Sequence, residues 1–518
     1  MGITSFYYLF LVAIGAIIYY ILPKKIRWIQ LLLLSIVFYC AAAKPITFLY
    51  ILGSAITAYI ATNVGMKKDG ADGKNKIRIA LMAIAIVVNL LVWFVIKADS
   101  ILVDAFGVFR KVIHVLPEFN GWEFVGALGM GYYTLQVVGY ILDCAWGNIE
   151  PQKNFFKLLL FVGFFPQLTT GPISRYSQLS TLFEEHPLDY KNITFGAQRI
   201  LWGFFKKLVI AERAGIIVNA IWADLATYNG FYHWIVLLMY PIQMYTDFSG
   251  CTDIVLGTAE IFGIVMPENF NNPFFSRDSK EFWKRWHITL GVWAQDYVLY
   301  PVLKSSFMVK FGKFAKKKFG KNTGKFLATS LGMLCLWLVM GIWHGATKFI
   351  VGVSLWYWIV LMIGDLISPI STKLLKKFSV NTDNFSWHLF QSMRTYVIYA
   401  VGAAFFRAEN FKQALSLLGS LITMFIGNIK EVNPWIFFDD SILNTGVSYV
   451  DINILIFGVF ALFVVGILRE KYGYARNYIA KQGIVLRWII WISLFILVLI
   501  KGKYGGGYNA ADFIYQGF

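Results

Sequence analysis

Phe326–Ile350 reads FLATSLGMLCLWLVMGIWHGATKFI. The 18 residues from Phe326 to Trp343 carry no charge, which is enough apolar length to cross a bilayer. The run ends in Trp343-His344-Gly345, and His344 is the only side chain between Phe326 and Thr347 that titrates near pH 7. A second apolar run, Phe349–Ile367, begins almost at once. The histidine therefore lies at a break between two spans. An ionisable group at membrane depth marks a functional site by default. The plainer reading, a neutral histidine holding a neighbouring carbonyl, stands beside it at this point.

The same pattern recurs along the 518 residues, of which 58% are apolar. This is an all-α polytopic membrane protein, read as a single domain over 1–518. It divides into N-terminal spans (1–150), a motif-bearing core (151–370) and C-terminal spans with a tail (371–518). Segment lengths predict about 11–13 crossing or partly crossing helices. The net charge of +18 would suit nucleic acid in a soluble protein. Here the basic residues sit in short stretches: Lys24–Arg27, Lys67–Arg78, Lys304–Lys325, Lys373–Lys377 and Arg469–Lys481. The positive-inside rule accounts for them as cytoplasmic loops and leaves no call for a nucleic-acid partner. That topology places both termini outside. The four cysteines show no C-x-x-C spacing, and two histidines 57 residues apart are poor evidence for zinc.

Charge enters apolar sequence most often in the middle third. Ile193–Ala223 carries Arg199, Lys206, Lys207, Glu212 and Arg213, which should face a protein interior. Pro166-Gln-Leu-Thr-Thr-Gly-Pro172 breaks any helix there. Phe231–Tyr245 and Thr252–Met266 read as two segments around Asp247, expected to be a satisfied carboxylate that caps the second. Arg277–Tyr300 reads as one amphipathic helix, with Arg277, Lys280, Glu281 and Lys284 on one face and Phe282, Trp286, Leu290 and Trp293 on another. Lys284 and Arg285 would then hold it at headgroup depth. Arg175 could pair with an acidic group or with a donor phosphate.

His287, in Trp286-His287-Ile-Thr, joins His344 as the second histidine of interest. FWKRWHITLGVWAQDYVLYPV and MGIWHGA resemble the membrane-bound O-acyltransferase family. FFPQLTTGPISRY (Phe164–Tyr176), YTDFSGCTDI (Tyr245–Ile254) and NFNNPFFSRDSKEFWKRWH (Asn269–His287) resemble its bacterial branch, which acetylates envelope polysaccharides or transfers D-alanine to teichoic acid. The resemblance implies a ring of tilted helices around a central funnel or tunnel, a bacterial plasma-membrane location, and His344 as catalytic residue with His287 near it. It also implies an acyl donor such as acetyl-CoA or another acyl thioester, a polysaccharide acceptor, and an extracellular SGNH-type acyltransferase as partner.

The residues fit that chemistry. Acyl transfer to a hydroxyl needs the hydroxyl proton removed as the new bond forms, and a histidine in a dry site can take it. The oxyanion needs donors, for which Trp343, Trp286 or backbone N–H groups near Gly345 are candidates. No G-x-S-x-G elbow occurs. The ending Asp512-Phe-Ile-Tyr515-Gln-Gly-Phe518 resembles short aromatic-Ile-Tyr-x-x-Phe endings of the bacterial branch. Tyr515 is thus a candidate nucleophile that relays the acyl group, or else an interfacial anchor. D-alanyl transfer from a carrier-protein thioester and a non-enzymatic polysaccharide or acyl transporter are the alternatives to polysaccharide O-acetylation.

Overall fold

The computed structural model describes residues 1–64, 72–97, 99–112, 126–228, 230–427 and 440–504. These residues are overwhelmingly helical, and the pairing of Phe270 with Trp286 is an isolated β-bridge. Among them, seven helices are long and apolar enough to cross a membrane, and Phe6–Ile21 and Phe411–Ile422 are shorter apolar helices.

The centre of the fold is one helix, Phe231–Ile261, with residues buried along most of its length. The two segments expected around Asp247 are thus continuous, and Asp247 lies mid-helix where it cannot cap anything. Pro241 sits inside that helix without ending it. The Tyr396 hydroxyl donates to the Leu238 carbonyl beside the proline, the kind of outside partner that lets a buried helix tolerate one.

Helix Tyr190–Phe204 packs closest against this central rod. The contact runs along Gly196 and Gly203 on one helix and Gly250 and Gly257 on the other. A Cβ at Gly196 would stand 2.6 Å from the Gly257 carbonyl oxygen, and one at Gly203 2.6 Å from that of Gly250. Without a hydrophobic drive between helices in lipid, backbone approach of this kind supplies the packing energy.

A π-helical turn, Phe205–Ala211, follows and buries both Lys206 and Lys207. Each finds a carboxylate on the central helix: Lys206 Nζ is 2.7 Å from Asp253, and Lys207 Nζ is 2.9 Å from Asp247. Lys207 also meets Glu212 at 2.7 Å, and Arg213 meets Asp451 at 3.1 Å. The charges of the middle third therefore turn inward in pairs, as buried ions must.

Two expected elements differ. Arg277–Tyr300 is not one helix: Ser279–Arg285 ends at Trp286, His287 takes a left-handed backbone, and Ile288–Ala294 starts again. Phe282, Trp286, Leu290 and Trp293 are buried in protein, so they anchor no helix in lipid. The basic stretch Lys304–Lys325 is not a loop. Helix Ser306–Phe319 folds back at Gly320 (φ 86°) against the start of helix Lys321–Trp343.

Near the C-terminus two helices, Phe385–Arg407 and Phe411–Gly427, are joined by three residues. A further helix, Met130–Trp146, has most of its residues buried.

Candidate active site

His344 closes helix Lys321–Trp343, and Gly345 follows at φ 85°. A positive φ is cheap only for glycine, so the helix stops here and exposes its last carbonyls. Just beyond that end, Ser100 Oγ donates to the Gly345 carbonyl at 2.6 Å. His344 is buried, with its ring edge-on to Phe406 at 4.9 Å between centroids and close to Phe349 at 5.5 Å.

His287 has a non-glycine backbone at φ 45°, ψ 52°. That conformation costs energy and persists only where surroundings enforce it. Here they do. Ile288 N–H donates to the Asn269 carbonyl and Asn271 N–H to the Arg285 carbonyl, both at 2.9 Å.

The Asn269 side chain also fixes the histidine's proton. Its Oδ1 accepts from the Thr289 hydroxyl at 2.9 Å and from Thr289 N–H at 3.3 Å, so that atom is an acceptor. His287 Nδ1, 3.0 Å away, must then be the donor. The proton sits on Nδ1, and Nε2 keeps a lone pair. That Nε2 is buried and has no hydrogen-bond partner among the described residues.

The loop carrying Asn269 is tied from two sides. Arg199 grips Glu268 with two nitrogens, at 2.8 and 2.6 Å, while its Nε holds Asp253 at 2.9 Å. Arg469 donates to the Phe270 carbonyl at 3.0 Å, and Asn272 Nδ2 to Gly466 O at 2.9 Å and Glu470 at 3.0 Å.

One cavity of about 240 Å³ is lined by both histidines. Trp343 bridges them, 4.9 Å from the His344 ring and 6.2 Å from that of His287. The cavity follows one face of helix Lys321–Trp343 through Thr329, Met333, Trp337 and Met340. Thr329 and His344 are 15 residues apart, about 22 Å along a helix. Lys280, Lys284 and Asp365 line it too, and Lys280 pairs with Asp365 in an exposed ion pair. The arrangement is a mostly apolar cavity that has Lys280, Lys284 and Asp365 as well as two buried imidazoles in its lining. Such a site can hold a long, thin donor and do proton transfer without bulk water.

The other expected site residues take supporting places. Trp343 Nε1 donates to the Gly131 carbonyl at 3.2 Å, so this N–H is committed and is not an oxyanion donor. Trp337 Nε1, on the cavity wall, is instead a buried donor without a hydrogen-bond partner among the described residues. Trp286 also lines the cavity and packs among Tyr245, Phe270, Phe282 and Tyr399. Asp247 is held by Lys207, away from the cavity. Arg175 pairs with Asp296 and lies over the Tyr297 ring, so the acidic partner wins over a phosphate. Arg285 joins Glu281 at 2.7 Å and Glu470 at 2.5 Å, an interhelical tie and no headgroup anchor. Tyr515 lies outside the described residues.

Asn269 and Trp337 were not singled out from the sequence. Asn269 stands in NFNNPFF, 18 residues before His287, and nothing in that spacing announces a hydrogen bond. Trp337 is one tryptophan of 18, seven residues before His344.

An all-helical membrane fold with paired buried histidines defines a class, and residues 152–401 match the model of MBOAT, the membrane-bound O-acyltransferase family. The chain thus carries a domain of that family, and both histidines fall within it. It is similar to the probable alginate O-acetylase AlgI of Pseudomonas syringae, at 27% identity over 80% of this chain and 74% of the relative. It is similar to a peptidoglycan O-acetyltransferase of Helicobacter pylori, at 27% identity over 62% of this chain and 63% of the relative. A teichoic acid D-alanyltransferase of Bacillus subtilis is 33% identical over 46% of this chain and 59% of its own length.

Proposed function

We propose that this chain moves a short acyl group, acetyl in the first instance, from a cytoplasmic thioester donor such as acetyl-CoA to a hydroxyl of an extracellular or cell-wall polysaccharide. The observation that carries the reading is the cavity shared by His287 and His344, entered beside Lys280 and Lys284. The relatives named as O-acetylases of alginate and peptidoglycan support the acyl group and the acceptor class.

In this reading the donor's arm lies along the face from Thr329 to His344, its phosphates toward the lysines. The Trp337 N–H is placed along that arm, where it can meet an amide carbonyl. His344 removes the proton of the acceptor hydroxyl as its oxygen attacks the thioester carbonyl carbon. The carbon–sulfur bond then breaks, and the thiolate leaves with a proton. His287 Nε2 offers an acceptor lone pair beside this exchange and steadies the proton-bearing partner. In the relay form of this reading the hydroxyl deprotonated at His344 is that of Tyr515, whose oxygen takes the acyl group from the thioester as an ester. An extracellular SGNH-type transferase then moves the acyl group to the polysaccharide hydroxyl and frees Tyr515, which splits one transfer into two.

A second reading, D-alanyl transfer to teichoic acid, is favoured by the 33% identity to a D-alanyltransferase. Mass spectrometry of envelope polysaccharides with and without the gene decides between them. Loss of O-acetyl groups is expected. Loss of ester-linked D-alanine with O-acetyl unchanged would transfer the assignment to the second reading. Loss of polymer export without change in acylation would leave a transporter.

A further inference from the structure

A second cavity, of about 1130 Å³, shares no lining residue with the first and lies between helices Phe6–Ile21, Tyr190–Phe204 and Ile484–Lys501. The first and the last described helices of the chain form its two sides, with Tyr190–Phe204 as its floor. Leu9, Val12, Ile17, Leu201, Phe204 and Phe495 give it an apolar wall. Arg487 is the one charged side chain among its described lining residues. It is half-buried, and its guanidinium makes no hydrogen bond or ion pair among the described residues.

The cleft has a polar end and an apolar end. Arg487 stands in the first turn of Ile484–Lys501, where Tyr190–Phe204 also begins and Phe6–Ile21 finishes. Lys24, Lys25, Lys191 and Lys481 flank that end in the chain. From Tyr20 back to Leu9, and from Ile484 on to Phe495, the cleft spans 12 residues, or 11 helical steps, of each helix. That is about 16 Å, close to the half-thickness of about 15 Å that one leaflet's hydrocarbon presents.

An arginine with no counter-ion among the described residues, at the head of a leaflet-deep apolar cleft, calls for an anionic headgroup with acyl chains below it. We propose that this cleft binds one anionic phospholipid of the leaflet on the basic side. Its phosphate sits at Arg487, and its chains fill the seam between the chain's first and last helices. A zwitterionic lipid brings the chains but no net charge to match the arginine.

Native mass spectrometry of the full chain reads the preference, after incubation with equal amounts of palmitoyl-oleoyl phosphatidylglycerol and phosphatidylcholine. Phosphatidylglycerol should be retained over phosphatidylcholine by roughly fivefold or more, the scale of one basic side chain at an anionic lipid. Arg487→Gln should abolish the preference, Arg487→Lys should keep part of it, and Lys24→Gln with Lys25→Gln should leave it unchanged. Equal retention of the two lipids by the wild type, or an unchanged preference in Arg487→Gln, overturns the proposal.

If Arg487→Gln does not insert, brominated phosphatidylglycerol tests the same site in the wild type. Trp488 and Trp491 line the cleft, so quenching by this lipid should exceed that by brominated phosphatidylcholine. The excess should vanish when both tryptophans are changed to Phe. No excess, or an excess that survives both changes, also overturns it. A partner's helix in the cleft would exclude the brominated lipid and give that same contrary result.

Discussion

At the scale of single residues, His287 is the more constrained of the two histidines. Asn269 Oδ1 accepts a hydrogen bond from Nδ1–H, which keeps the proton there and leaves a buried lone pair on Nε2. Asn269→Leu should therefore lower acyl transfer by about 10²-fold, the lower end of what a positioned acid–base group contributes. Asn269→Asp keeps the acceptor oxygen and should restore part of the rate. A general loss of packing would not be rescued that way, so equal activities for Leu and Asp would argue against the tautomer role. Tyr515→Phe keeps the ring and removes the nucleophilic oxygen. Acylation should fall to background, whereas a normal rate would leave Tyr515 an interfacial anchor.

At the scale of elements, the close contact between Tyr190–Phe204 and Phe231–Ile261 rests on absent side chains. Gly250→Leu would drive a side chain into the Gly203 carbonyl and the Lys206–Lys207 turn. A thermal melt in detergent should show a loss of ~1–3 kcal/mol or more, as for other overpacked sites. An unchanged melt would mean that the helices can separate at no cost.

The basic hairpin of Ser306–Phe319 on Lys321–Trp343 stands beside the turn from which Thr329 enters the cavity. Neutralising several of its lysines should raise the donor concentration required, and added salt should blunt the difference. If donor dependence stays unchanged with insertion intact, the lysines set topology alone.

How much of this was legible in the sequence varies by element. The span ending at His344 could be read directly, because an uncharged run and a Trp-His-Gly stop are local signals. The inward turn of Lys206 and Lys207 followed from the cost of charge in lipid. The long central helix did not, because a proline and an aspartate interrupt its pattern while tertiary contacts repair both. The break at His287 was hidden for the opposite reason: Arg277–Tyr300 keeps a helical period on either side of a kink that only the Asn269 loop enforces. Trp343 shows the same limit at a single atom, since its N–H is taken by a carbonyl 212 residues away.

On the scale of the whole molecule, the fold encloses Lys206, Lys207, Arg213, Asp247 and both site histidines within a mostly apolar body. The Arg199–Glu268 and Arg469–Phe270 ties join helices from the middle and the C-terminal third to the loop under His287. The supporting structure of the site is therefore wider than the motifs that first draw attention to it. The central claim is that His344 performs acyl transfer inside this enclosure. The most direct test is the O-acetyl content of envelope polysaccharide from cells carrying His344→Ala and wild-type chains at equal membrane levels. The account predicts that the variant inserts normally and loses acetylation by at least about 10²-fold. Wild-type acetylation in His344→Ala would contradict it.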